Sequence, residues 1–117
     1  RMSQVVTNLV GNAIRATPQG GAITVASSIR GNNAVVQVSD TGEGLASDDL
    51  EKVFERFYRV PGRRRSPGET GSGIGLTISR GLVERQNGTL TAASDGPGRG
   101  ATFTITLPLR GTPRTTG

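Results

Sequence analysis

The sequence predicts an α+β fold: a two-layer sandwich with about three helices on one face of a mixed, mostly antiparallel sheet. Three observations predict it. Apolar residues recur at helical spacing at the start of the chain and again after Gly75. Runs with period-two alternation follow each of these helices, and a short turn-forming segment splits each pair of runs. The chemically distinctive residues gather at element ends and in the loops around a long segment that precedes Gly71.

Composition narrows the function. The chain has 117 residues, enough for one domain with one core. It has no cysteine and no histidine. Disulfides and thiolate metal sites are excluded, as are an imidazole base and a phosphohistidine among these residues. No run approaches the roughly 18 apolar residues of a membrane-spanning helix, and no signal peptide is visible, so the expectation is a soluble fragment or protein. Net charge is +5, with five of the 14 basic residues between Arg56 and Arg65. The four aromatic residues, Phe54, Phe57, Tyr58 and Phe103, do not interleave with basic strands, which argues against nucleic acid as a partner.

The first helix is predicted from Met2, Val5, Val6, Leu9, Val10, Ala13 and Ile14, which fall on one apolar stripe. Asn8 and Asn12 are four apart and share a face, with Arg15 three residues further on. Asparagine is a poor helix former. Two on one face are either solvated surface residues or ligands whose amide oxygens meet a hard cation such as Mg²⁺. The segment Ala16-Thr17-Pro18-Gln19-Gly20-Gly21 ends the helix. Runs at Ala22–Ile29 and Ala34–Val38, separated by Gly31-Asn32-Asn33, read as an antiparallel hairpin. The second run leads into Asp40-Thr41-Gly42-Glu43-Gly44. There Asp40 either caps its own turn or presents a carboxylate at a pocket floor, selecting the exocyclic amine of adenine over the carbonyl of guanine.

A short helix is predicted to begin at Ser47, a candidate N-cap, with acids in its first turn. Phe54 and Phe57 read as core anchors. Residues 60–70 carry two prolines, two glycines and an arginine run with little to bury, and read as a mobile loop whose charge meets a bound anion. Gly71-Ser72-Gly73-Ile74-Gly75-Leu76 then opens into a helical pattern that extends to Asn87. Alternate glycines before a helix N-terminus make an anion site, fitting phosphate. There is no GxxxxGK[ST] run and no GxGxxG after a strand, which excludes the P-loop and the dinucleotide fold. A second hairpin follows, 88–94 and 101–109, with Phe103, Ile105 and Leu107 alternating against threonines. Residues 111–117 read as a frayed tail.

These residues, in this order, resemble the ATP-binding catalytic domain of two-component sensor histidine kinases. Asn8-Leu9-Val10-Gly11-Asn12-Ala13 is similar to their N box, Asp40-Thr41-Gly42-Glu43-Gly44 to the G1 box, and Phe54-Glu55-Arg56-Phe57-Tyr58-Arg59 to the F box. Gly71 to Leu76 resembles the G2 box, and Gly98-Arg99-Gly100-Ala101-Thr102-Phe103 the last glycine motif. The resemblance covers residues 1–110 and implies a Bergerat-type fold with a flexible ATP lid. It implies that Asn12 holds Mg²⁺ against the phosphates of ATP, that Asn8 lines the same cavity, and that Arg15 contacts phosphate. It assigns adenine reading to Asp40, with Gly42 and Gly44 shaping that pocket. The lid hinge and phosphate loop fall on Gly71, Ser72, Gly73, Ile74, Gly75 and Leu76, a position beneath the adenine on Thr102, and lid charge on Arg59 and Arg63 to Arg65. Ala16 stands where many members carry an aromatic or larger polar residue, implying a looser wall.

In the related gyrase-type and chaperone ATPases the place of Asn8 is a glutamate that activates water. An amide is no such base, so Asn8 favours phosphoryl transfer to a protein over hydrolysis. The implied reaction is transfer of the γ-phosphoryl group to a histidine on a dimerisation module outside these residues, and onward to a response regulator aspartate. The family has a strand before its first helix, so a portion of a longer protein is expected; the resemblance implies a cytoplasmic domain with no direct membrane contact, in a parent that is often anchored in the cell membrane. Two other functions are open to this ATP fold: an anti-sigma-factor-type serine kinase, against which the F box argues, and a non-catalytic nucleotide-sensing module.

Overall fold

The computed structural model describes residues 2–55 and 75–109. Helix α1 (Met2–Ala16) is followed by strands β1 (Ile23–Arg30) and β2 (Asn33–Asp40), then by two 3₁₀ turns, Ser47–Asp49 and Lys52–Phe54. Helix α2 (Gly75–Glu84) precedes strands β3 (Thr89–Ala93) and β4 (Ala101–Pro108). The four described strands form one sheet in the order β1-β2-β4-β3, and every pairing is antiparallel. The two hairpins are thus joined through β2 and β4, with Val38 opposite Phe103 and Asp40 opposite Ala101.

Alternation decides which face carries the helices. Val38, Phe103, Ile105 and Leu90 point into the core with Val5, Leu9 and Ala13 of α1 and Val83 of α2. The opposite face carries Gln37, Ser39 and Thr102, Thr104 and Thr106, with Ser39 and Thr102 sharing a hydroxyl hydrogen bond of 3.0 Å and Gln37 donating to Thr104. Three elements differ from their expected form. Ile14 does not belong to the core stripe; it is 59% exposed, because five residues past Leu9 is about 140° round a helix. Ala16 takes the buried place in the last turn. The expected short helix at Ser47 is a pair of 3₁₀ turns, and its N-cap is Ala46 with no side-chain cap, so Ser47 does not serve that role. Helix α2 ends at Glu84 rather than Asn87. Asn87 adopts φ +66°, and the N–H of Gly88 returns to the Val83 carbonyl, a left-handed stop.

α2 is fastened to the 3₁₀ turns by side chains far apart in sequence. The Thr77 hydroxyl donates to the Phe54 carbonyl at 2.7 Å. The Arg80 guanidinium lies 4.2 Å over the Phe54 ring and makes two hydrogen bonds to Glu51, at 3.0 and 3.3 Å. Phe54 in turn meets Phe103 edge-on, with centroids 6.1 Å apart. Because Glu51 is largely exposed, the ion pair adds little, and stacking over the ring carries most of the contribution. Arg80→Ala is expected to cost about 1–2 kcal/mol, and Arg80→Lys somewhat less, read as a lower midpoint in urea melts.

Candidate functional site

The site is built where α1 ends, β2 ends and β4 begins. Asp40 is the last residue of β2 and is 9% exposed. Its cross-strand neighbours on the same face are Ile23 and Ala101, both apolar. The Asp40 carboxylate accepts the Gly42 N–H at 2.8 Å through Oδ1. The turn-capping and pocket-floor readings are therefore compatible: one oxygen holds the loop, and a carboxylate has further lone pairs to offer a ligand.

The loop after Asp40 is held on two sides. The Glu43 N–H donates to the Ala16 carbonyl at the end of α1 (3.0 Å), and the Gly100 N–H donates to the Gly42 carbonyl (3.1 Å). A Cβ on Gly42 would overlap the Ala16 carbonyl, so only glycine lets the loop lie this close to α1. Gly100 is more constrained still. It has φ +72°, and a Cβ there would overlap the Asp40 carbonyl oxygen. Gly100→Ala is expected to destabilise the fold by about 3 kcal/mol and to displace Asp40, checked by thermal unfolding. Ser94, which the sequence reading missed, ties the assembly together. Its hydroxyl accepts the Leu45 N–H at 3.0 Å and donates to the Gly100 carbonyl at 2.6 Å.

Asn8, Asn12 and Arg15 lie along one flank of α1 beside its buried stripe, as positions i, i+4 and i+7 require. Asn8 and Asn12 are half-buried, and Arg15 is exposed. The Asn8 amide Nδ2 donates to the Ser79 hydroxyl of α2 at 3.1 Å, and Ser79 is completely buried. α1 thus acts as a ruler. Its last turn holds the Asp40 loop, Asn12 lies one turn earlier, and Asn8 a further turn back against α2, with rises of about 6 Å per turn of four residues.

Other expected site residues fare differently. Gly44, with φ +69°, sits against the 96–100 turn and shapes the loop. Thr102 is not brought to Asp40. It is one residue past Ala101 on β4, so it lies on the opposite face and pairs with Ser39. Ala101 is the residue of that motif that shares the Asp40 face. Leu76 packs against the core. Gly75 opens α2, while Arg59, Arg63 to Arg65 and Gly71 to Ile74 lie outside the described residues, as does the 111–117 tail. Ile23 and Ala101 could have been found only with the register in hand, whereas Ser79 had a signal: a serine within the apolar stripe of Leu76 and Val83.

A magnesium ion fits this donor set in one way. Among the described residues no three acids come together to form a cage. An amide oxygen on α1 suits a cation that arrives with phosphate oxygens and keeps several waters, which is how Mg²⁺ is commonly bound.

The family model for histidine kinase-, DNA gyrase B- and HSP90-like ATPases matches residues 1–111. The chain belongs to that family. Within it, sensor kinases are among the similar proteins. The chain is 42% identical over 103 residues to the sensor-like histidine kinase SenX3 of Mycolicibacterium smegmatis, covering 88% of this chain and 26% of that protein. It is 40% identical over 113 residues to the sensor histidine kinase RppB of Synechocystis, covering 97% of this chain and 24% of that one. The chain therefore spans about a quarter of the length of these relatives. Among solved structures, the mycobacterial sensor histidine kinase MprB superposes with TM-score 0.79 at 32% identity, covering 92% of this chain and 71% of that one. The catalytic domain of the histidine kinase ThkA gives 0.75 at 28% identity, covering 92% and 66%. This ATPase-family domain has the α+β architecture of histidine kinase catalytic domains, with the helices on one face of an antiparallel sheet. No helix of the described residues is long and apolar enough to cross a membrane.

Proposed function

We propose that this domain binds Mg²⁺-ATP and donates the γ-phosphoryl group to a histidine imidazole on a dimerisation module, for onward transfer to a response regulator aspartate. The observation that carries it is the spacing along α1: the Asp40 loop is hydrogen-bonded to its last turn, and Asn12 and Asn8 follow one and two turns back, ending at the contact with α2. That order fits a nucleotide laid along the helix, base at Asp40 and phosphates toward the start of α2. The apolar Ile23 and Ala101 give the base a wall, and the Asp40 carboxylate accepts from an amine but not from a carbonyl.

The phosphate end follows from helix physics. α2 has 10 residues, and the first turn of an α-helix has N–H groups without an intrahelical partner and carries partial positive charge. Mg²⁺, when bound through the Asn12 amide oxygen, would supply charge neutralisation on the phosphates. The imidazole nitrogen attacks the γ-phosphorus as the bond to the β–γ bridging oxygen breaks, and ADP leaves. The domain's own part is positioning and electrostatics. Neither Asn8 nor Asn12 can take a proton from water at neutral pH, which favours transfer over hydrolysis. Sensor kinases of this kind work on cytoplasmic ATP with a response regulator as partner, and the same setting is proposed here.

The test is calorimetry with ATP, ADP and GTP, with and without Mg²⁺, followed by incubation with γ-labelled ATP and a histidine-bearing helical module. Adenine-selective, Mg²⁺-dependent binding and an acid-labile, base-stable phosphoramidate are expected. A base-labile, acid-stable label would instead mean a serine ester and the serine-kinase class. Tight Mg²⁺-ATP binding with no label on any acceptor would mean a sensing module.

A further inference from the structure

Ser79 stands in the middle of α2, wholly buried, on the stripe that packs against α1. An apolar residue would be the ordinary choice there, and a hydroxyl so placed requires a partner. That partner is the Asn8 amide, whose Nδ2 donates to the serine oxygen at 3.1 Å across 71 residues of sequence. Asn8 belongs to the site flank of α1 with Asn12, and among the described residues its amide has no other hydrogen bond.

A side-chain amide has two unlike ends: an NH₂ that donates and an oxygen that accepts. Rotating it by half a turn exchanges a phosphate-binding end for a cation-binding end at almost no change in shape. A hydroxyl can engage either end; here the Ser79 oxygen accepts from the NH₂ at 3.1 Å, and that contact leaves the amide oxygen for a ligand. We propose that Ser79 is a positioning residue that holds the Asn8 amide by its NH₂, leaving the carbonyl oxygen for the cation side of the nucleotide, either Mg²⁺ itself or a water of its shell. Asn8 then works with Asn12 as an acceptor and does not donate to phosphate. This rests on the nucleotide reading above and adds to it a role for a residue with no exposed atom.

The experiment is calorimetric binding of ATP to the 117-residue chain, once with Mg²⁺ and once with chelator, for the wild type, Ser79→Ala, Ser79→Thr, Asn8→Ala and the Asn8→Ala/Ser79→Ala double variant. Ser79→Ala frees the amide to turn. It is expected to weaken Mg²⁺-ATP about tenfold while moving chelated ATP less than about twofold. Ser79→Thr keeps the hydroxyl and is expected to restore the Mg²⁺ preference. In the Asn8→Ala background, Ser79→Ala is expected to add nothing, since the group it acts through is gone. Equal losses with and without Mg²⁺, no loss at all, or the same loss in both backgrounds would overturn the proposal, leaving Ser79 a packing residue. Failure of the wild type to bind any adenine nucleotide would overturn the underlying nucleotide reading instead.

Discussion

Asp40→Asn is expected to lower ATP affinity about 100-fold and to bring GTP affinity up toward it. The substitution is nearly isosteric, and the amide oxygen can still accept the Gly42 N–H that Asp40 Oδ1 accepts now at 2.8 Å. The loop should therefore keep its shape, and the melting temperature should move little. The second oxygen becomes an NH₂. Opposite the amine of adenine, an acceptor facing a donor becomes two donors, and a hydrogen bond to a charged group worth about 1.5–3 kcal/mol is lost. Opposite the carbonyl of guanine, the same NH₂ becomes a partner. Competition calorimetry with ATP and GTP reads this directly. If the two nucleotides bind the variant in the wild-type ratio, Asp40 does not read the base.

Asn12→Asp is expected to abolish most phosphoryl transfer, by about 100-fold or more, with a loss of ATP affinity that is larger in chelator than in Mg²⁺. The side chain keeps its size but gains a charge on the flank of α1 assigned to the phosphates. Two like charges about 4 Å apart repel by about 4 kcal/mol at an effective dielectric of 20. Without the cation nothing offsets that repulsion. With Mg²⁺ the carboxylate is a stronger ligand than the amide, so part of the binding returns. Transfer does not return with it, because a cation drawn toward the protein neutralises the phosphates less. Binding titrations in both conditions, together with a single-turnover transfer assay, separate the two effects. Unchanged transfer would remove Asn12 from the metal site.

Both variants probe residues legible in the sequence, for reasons that can be stated residue by residue. Asn8 and Asn12 are four apart in a helical pattern, so their common flank follows from the 3.6-residue turn alone. Asp40 ends a period-two run and is followed by two glycines, so its place at a strand end is equally local. The two hairpins were legible because short turn segments at 31–32 and 94–100 join their strands.

Thr102 shows where local reading stops. The motif points to a stretch, but whether Ala101 or Thr102 shares the face of Asp40 depends on the pairing of β4 with β2, and a shift by one residue exchanges the faces. Ile14 shows the same in a helix: it is four residues past Val10 but five past Leu9, and among the described residues it stays exposed at the edge of the stripe.

The sequence by itself determined the period of each element, the turns that separate them, the absence of histidine and cysteine, and the order of the glycine and asparagine motifs. These depend on residues within a few positions of each other. Only the tertiary structure decided the strand order β1-β2-β4-β3, the apolar wall of Ile23 and Ala101 beside Asp40, the stack of Arg80 on Phe54, and the hold of Ser79 on Asn8. Those contacts join residues separated by 17 to 71 positions, and no local preference encodes them. They form because two helices and a sheet can bury their apolar stripes together in one register, and that packing brings the polar groups beside the stripes into reach of one another.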